Sequence, residues 1–221
     1  MPAHPLVISV SAFLAVSLAT VGSLVGLAAP AGERDTTIAS RPAVTRITPV
    51  RQVARPTTLR PRQTCDGVAH GFRPRAVSVP GVTRRSSIVT PPRDANGIPG
   101  VPPLTDAGKR LFAWDRAQGI RPGDPAGNVL LNAHTWPDGS ALGNRLLAHL
   151  HRGDRVVVQG AKVRLCYRVT ERVEVLAAQG LPRYYTKDGP PQLAILVCSG
   201  RRLGPGNWEK RTVWFATPLS V

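Results

Sequence analysis

The sequence predicts an all-β domain, a small barrel or sandwich, on three observations. From Ala76 onward, short apolar runs of strand length recur along the chain. Turn residues separate them: Pro80-Gly81, Asp138-Gly139, Gln159-Gly160 and Pro205-Gly206-Asn207. The spacing is that of barrel or sandwich strands rather than of alternating strands and helices. The eight expected strands are Ala76 to Val79, Ser87 to Thr90, Asn128 to Ala133, Arg155 to Gln159, Lys162 to Thr170, Val173 to Ala177, Leu193 to Cys198 and Thr212 to Ala216.

One or two short helices interrupt them. Ser140 to His151 sets Leu142, Leu146, Leu147 and Leu150 on one helical face, with Ser140 as the expected N-cap and Gly153 past the end. Thr105 to Gln118, carrying Leu111, Phe112 and Trp114, reads as a second helix or as loop.

Upstream of Ala76 the composition changes twice. Leu6 to Pro30 holds no Asp, Glu, Lys or Arg. About 20 apolar residues suffice to cross a bilayer as a helix. The run exceeds the roughly 7 to 15 residues of a signal-peptide core, which favours an uncleaved anchor, although Ala29-Pro30-Ala31 also suits a cleaved signal. The basic residues follow the span, and the positive-inside rule alone would orient it the other way. Ala31 to Arg75 carries nine Arg against Glu33, Asp35 and Asp66, and five prolines break any helix or central strand. It reads as a solvated linker. The expected organisation is therefore 1–30 anchor or signal, 31–75 linker and 76–221 folded domain.

The net charge of +16 is almost wholly arginine and implies anionic surroundings. A chain routed to a membrane has little access to nucleic acid, which is excluded as the expected partner. An anionic wall polymer or lipid suits the charge instead. Three cysteines in an exported protein imply one disulfide and one free thiol, or three free thiols. A disulfide would join Cys65, at the linker's end, to Cys166, inside a strand, and leave Cys198 free.

Cys198 ends the apolar run from Leu193, His134 follows the run from Asn128, and Arg211 opens the run that ends the chain. Each residue alone has an ordinary structural explanation, such as a buried thiol, a hydrogen-bonded loop imidazole or a surface cation. Together they cover the parts of acyl transfer. A thiol needs a group that takes its proton, and imidazole titrates nearest neutrality. The tetrahedral oxyanion needs a fixed donor, and a guanidinium offers five N–H groups and a permanent charge. The expected roles are Cys198 nucleophile, His134 general acid and base, and Arg211 oxyanion or substrate clamp.

These segments resemble the sortases, surface transpeptidases of Gram-positive bacteria. Ala133-His134-Thr135 matches the family's small-residue-His-Thr context, and Trp208-Glu209-Lys210-Arg211 its approach to the arginine. Asn132 to Arg145, NAHTWPDGSALGNR, is similar to the actinobacterial class E and F members. The resemblance spans the anchor, the basic linker and an eight-stranded sortase-like barrel. It implies that Cys198 attacks the Thr-Gly amide of an LPXTG-like signal near the C-terminus of a secreted protein and forms a thioester. An amine acceptor such as lipid II or a pilin lysine would then release it. It also implies a single-pass plasma-membrane protein with its catalytic domain outside the cell. Val197, Thr135, Tyr184 and Tyr185 are the expected substrate contacts.

The sequence also departs from the family. Ala194-Ile195-Leu196-Val197-Cys198 stands where sortases show Thr-Leu-x-Thr-Cys, so both threonines are replaced by apolar residues. Asp188 is the only acid between Gln179 and Gln192, too few oxygens for calcium, and no metal or other cofactor is expected. Two alternatives stay open. Cys198-Ser-Gly-Arg201 echoes the Cys-x-x-Arg ending of L,D-transpeptidases, without their Ser-His-Gly. A catalytically decayed wall-binding protein would also accommodate the missing threonines.

Overall fold

A computed structural model describes residues 64–219. The expected membrane segment and most of the expected linker lie outside the described residues. Among the described residues, no helix is long and apolar enough to cross a membrane.

Eight strands form the domain: β1 (Ala76–Val79), β2 (Thr83–Val89), β3 (Phe112–Trp114), β4 (Asn128–Ala133), β5 (Arg155–Gln159), β6 (Arg164–Leu176), β7 (Gln192–Gly204) and β8 (Asn207–Pro218). They close a barrel in the order β1-β2-β3-β4-β7-β8-β6-β5. Closure leaves no open edge. The pairs β2·β3 and β4·β7 are parallel and the others antiparallel. A parallel neighbour cannot be reached through a hairpin, so the chain leaves β4 and returns to β7 by a long crossover. That crossover carries the helix α1 (Leu142–His149), β5 and β6.

Residue alternation explains which faces are buried. Val129, Leu131 and Ala133 of β4 and Leu193, Ile195 and Val197 of β7 point into the barrel, where Phe112, Trp114 and Trp214 fill its width. The intervening residues Leu130, Ala194, Val213 and Phe215 form a second, outer cluster under Tyr184. Strands buried on both faces read as continuous apolar runs, and this accounts for the run Leu193 to Val197. Helix α1 is too short to persist alone. It is held by Leu142, Leu146 and Leu150, each fully or nearly fully buried and each contributing roughly 1.5–3 kcal/mol. The Trp214 indole N–H donates to the Leu150 carbonyl at 2.9 Å.

Four expectations are corrected. The second helix does not form: Thr105 to Gln118 holds two short 3-10 turns around β3, because Phe112 and Trp114 are claimed by the barrel interior. The expected strands Lys162 to Thr170 and Val173 to Ala177 are one strand, β6, which continues through a bulge between Val169 and Glu171. The N-cap of α1 is Ala141 rather than Ser140, whose hydroxyl instead donates to Asp138 at 2.6 Å. Ordered packing also begins before Ala76. The Asp66 N–H donates to the Arg164 carbonyl and the Arg164 N–H to the Asp66 carboxylate, at 2.8 and 2.7 Å. Cys65 is joined to Cys166 by a disulfide with Cα atoms 5.5 Å apart.

Candidate active site

The site is built by strand register. β4 lies parallel to β7 with Ala133 opposite Val197, and β7 lies antiparallel to β8 with Cys198 opposite Arg211. His134 follows Ala133 directly, so the register sets it level with Cys198. Side chains alternate along each strand, so His134, Cys198 and Arg211 share the outer face, opposite to the core residues Ala133 and Val197. β6 extends the row with Val175 opposite Arg211. The next row is Asn132, Leu196, Val213 and Val173. Neither Cys198 nor Arg211 ends a strand, as the sequence had implied. β7 runs on to Gly204 through a bulge after Ser199, and β8 begins at Asn207.

These rows, apart from Val173, floor a groove of about 810 Å³. One wall is the segment that includes Ile98, Val101 and Leu104. A second is the turn containing Leu181, Tyr184 and Tyr185, and the β7–β8 hairpin brings Arg202 and Trp208 to the rim. The lining is mostly apolar and contains no carboxylate, while Arg202 and Arg211 line it as cations.

His134 is held at both backbone and ring. The Gly143 N–H donates to the His134 carbonyl at 2.7 Å. A Cβ on Gly143 would lie 2.4 Å from that carbonyl oxygen, so glycine is required for the approach. Asn144 brackets the next turn, accepting from the Trp136 N–H at 2.9 Å and donating to the Trp136 carbonyl at 3.1 Å. The Thr135 hydroxyl donates to the Cys198 carbonyl at 2.6 Å, tying the histidine segment to the cysteine strand. The imidazole Nε2 lies 2.6 Å from the Pro102 carbonyl oxygen. A carbonyl only accepts, so Nε2 carries a proton and Nδ1 is the nitrogen left to exchange one. The Trp136 ring stands edge-on to His134, with centroids 5.8 Å apart.

Cys198 is the free cysteine among the described residues and is half-buried. Burial pushes its thiol above the ordinary range, and the Arg211 charge opposes that rise. The group is therefore a thiol at neutral pH and needs a proton acceptor to react. Arg211 is anchored through Nη1 to the carbonyls of Trp208 and Lys210, at 3.0 and 2.9 Å. The remaining guanidinium donors are thus presented from a fixed base.

The four expected substrate contacts divide. The Val197 side chain is fully buried in the barrel core and does not line the groove, which leaves its backbone N–H as the group expected at the oxyanion. Thr135 also lines the groove but is buried, with its hydroxyl committed to the Cys198 carbonyl as a brace. Tyr184 lines the groove wall but is only 2% exposed, and its hydroxyl is committed to the Leu131 carbonyl at 3.2 Å. Tyr185 is 40% exposed at the groove. Sequence reasoning missed Gly143, Asn144, Asn132 and the Pro102 carbonyl. Gly143 and Asn144 lie within the NAHTWPDGSALGNR segment that carried the resemblance, and the Pro102 contact has no sequence signal. No group of three metal-ligating side chains occurs among the described residues.

The sequence matches no protein-family profile and no curated protein. Among solved structures, the chain is similar to sortase C1 of GBS pilus island 1, with 16% identity over 66% of this chain and a TM-score of 0.50. It spans 65% of the length of that chain. Sortase C1 from Streptococcus suis matches at 13% identity over 68% of this chain and 75% of its own, also with a TM-score of 0.50. Sortase C1 from Streptococcus agalactiae matches at 13% identity over 66% of this chain and 67% of its own, with the same TM-score. At such identities the likeness is one of fold: the described domain is an eight-stranded sortase barrel with one helix.

Proposed function

We propose that this chain, built on a sortase barrel, is a cysteine transpeptidase. The observation that carries the reading is that His134, directly after β4, Cys198 on β7 and Arg211 on β8 stand side by side in one groove. His134 takes the Cys198 proton as sulfur attacks a peptide carbonyl, then protonates the departing amine. The thioester is opened by an amine whose proton returns to His134. Arg211 donates to the oxyanion in both halves. With both motif threonines replaced, that guanidinium and backbone N–H groups carry the oxyanion's charge.

The substrate in this proposal is an LPXTG-like signal near the C-terminus of a secreted protein, and the acceptor is a lipid II or pilin-type amine. An apolar groove free of carboxylates suits a peptide with aliphatic side chains. The NAHTWPDGSALGNR segment supports placement with the class E and F sortases. Residues 1–30 would anchor the chain by one span and residues 31 to about 63 would tether the barrel on the wall side of the membrane. The L,D-transpeptidase reading is the less favoured, because the arginine paired with Cys198 is Arg211, while Arg201 is exposed within the bulge.

The test is incubation of the full chain with a fluorogenic LPXTG-type peptide and an amine acceptor, alongside Cys198→Ala. Cleavage at Thr-Gly with a thioester adduct by mass spectrometry, both absent in the variant, is expected. No adduct across a panel of related peptides would favour a catalytically decayed wall-binding protein.

A further inference from the structure

The groove wall that includes Ile98 to Leu104 has no regular secondary structure, yet its Pro102 carbonyl engages the His134 ring. Its anchors lie on both sides of that contact. Asn132, two residues before His134 and lining the same groove, donates through Nδ2 to the Gly100 carbonyl at 2.9 Å. The carbonyls of residues 100 and 102 thus meet the side chains of residues 132 and 134, one repeat of the extended period apart. Gly100 packs so closely that a Cβ there would lie 2.4 Å from the Pro92 carbonyl oxygen.

Five residues before that segment, on the stretch that leads into it, Arg93 grips Asp115, which is 2% exposed. Its Nε lies 3.2 and 3.0 Å from the two carboxylate oxygens, and its Nη2 lies 2.5 Å from Oδ2. Nη2 also donates to Gln118 Oε1 at 3.1 Å. Gln118 in turn donates through Nε2 to the Tyr185 carbonyl at 2.9 Å, on the opposite wall. The Arg93 guanidinium further lies 5.9 Å from the centroid of the Tyr185 ring. One planar fork therefore connects the segment over His134 to the barrel and to the facing wall, a geometry that an ammonium group does not reproduce.

We propose that Arg93 is a positioning residue for His134. By fixing the segment that includes Pro102, it keeps Nε2 protonated and leaves Nδ1 to exchange the proton of Cys198. The imidazole has two neutral tautomers, and the acceptor at one nitrogen selects between them. Loss of the fork would let the carbonyl drift, and the ring would then sample both tautomers and several orientations. The proposal rests on the reading of His134 as the proton carrier for Cys198. The geometric part can be measured without any turnover.

The experiment is NMR of the 15N-labelled imidazoles in the full chain, with His134 assigned by His134→Gln, for wild type, Arg93→Met and Arg93→Lys. Peptide turnover is measured in parallel. Wild type is expected to show a single Nε2–H tautomer with a slowly exchanging proton. In R93M the two nitrogen shifts should move toward each other, and kcat should fall about tenfold with a smaller change in KM. R93K keeps Asp115 neutralised without the fork and should lie between. If R93M does not fold, the displacement in R93K carries the test. Wild-type His134 signals in every folded variant, whether or not turnover falls, would overturn the proposal and leave Arg93 with a purely structural role. Displaced signals in a chain that turns over no peptide would uphold the positioning and fail only the transpeptidase reading.

Discussion

A thiol pushed up by burial and held down by one cation makes a specific statement about pH. Alkylation of Cys198 by iodoacetamide should be slow at pH 7 and rise with pH through and beyond the ordinary thiol range, because only the thiolate reacts. Arg211→Met removes the group that lowers the pKa. The alkylation curve should therefore move to higher pH, and kcat should fall by about 10²–10³ if the guanidinium also meets the oxyanion. A curve that stays in place would mean that Arg211 does not act on the thiol. The two tyrosines should separate in kinetics. Tyr185→Ala should raise KM, since that ring is exposed at the groove. Tyr184→Phe should leave KM unchanged and cost about 1 kcal/mol of stability in denaturant unfolding, since it removes the buried hydroxyl's bond to the Leu131 carbonyl.

Between β4 and α1 the chain forms an elbow in which helix and strand brace each other. Gly143 supplies both a close approach and an N–H to His134, and Thr135 reaches across to Cys198. Gly143→Ala puts a methyl group into backbone rather than into a flexible side chain. A loss on the order of 1–3 kcal/mol in melting or denaturant curves is expected. Turnover at temperatures where the variant stays folded should fall further than stability, because the elbow carries His134. Full activity in the folded variant would show that the elbow tolerates the shift. The facing wall is braced similarly by buried amides. Asn128 donates to the carbonyls of Arg183 and Tyr184, and Arg183 pairs with Glu171 at 2.6 Å while lying 4.2 Å from the Phe215 ring centroid.

Across the whole domain, the bond between Cys65 and Cys166 closes a long loop, with a sequence separation of 101 residues. A loop of that size constrains the unfolded chain strongly, and Cys65→Ser should cost about 2–4 kcal/mol. Mass spectrometry after alkylation under denaturing conditions should find one modified cysteine without reductant and three with it. Two or more labels without reductant would contradict the pairing. A soluble fragment that begins after Asp66 should share the loss of stability, since it gives up the Asp66 bonds to Arg164 as well as the disulfide.

Much of the fold was legible because its signal is local. Apolar runs of strand length bounded by Gly and Pro turns mark strands whatever they pair with, and Asn128 to Ala133 and Arg155 to Gln159 stand at the bounds read from sequence. The residue types of a thiol, an imidazole and a guanidinium were equally plain. By itself the sequence determined the all-β class, the apolar and basic leading segments, and which side chains have the chemistry for acyl transfer. Tertiary structure decided what depends on neighbours distant in the chain. Phe112 to Trp114 became a strand because the barrel interior needed its aromatics, against a local pattern that also suits a helix. Val197 turned out to be buried because side-chain direction follows strand register, which pairing sets, and Tyr184 because the short 3-10 turn that carries it packs over Leu130 and Phe215 on the barrel's outer face. Thr135 became a brace because the parallel β4–β7 pairing lays Cys198 beside it across 63 residues of chain. The Pro102 contact to His134 joins a carbonyl present in every residue to a ring 32 positions away, and only the closed barrel brings them together.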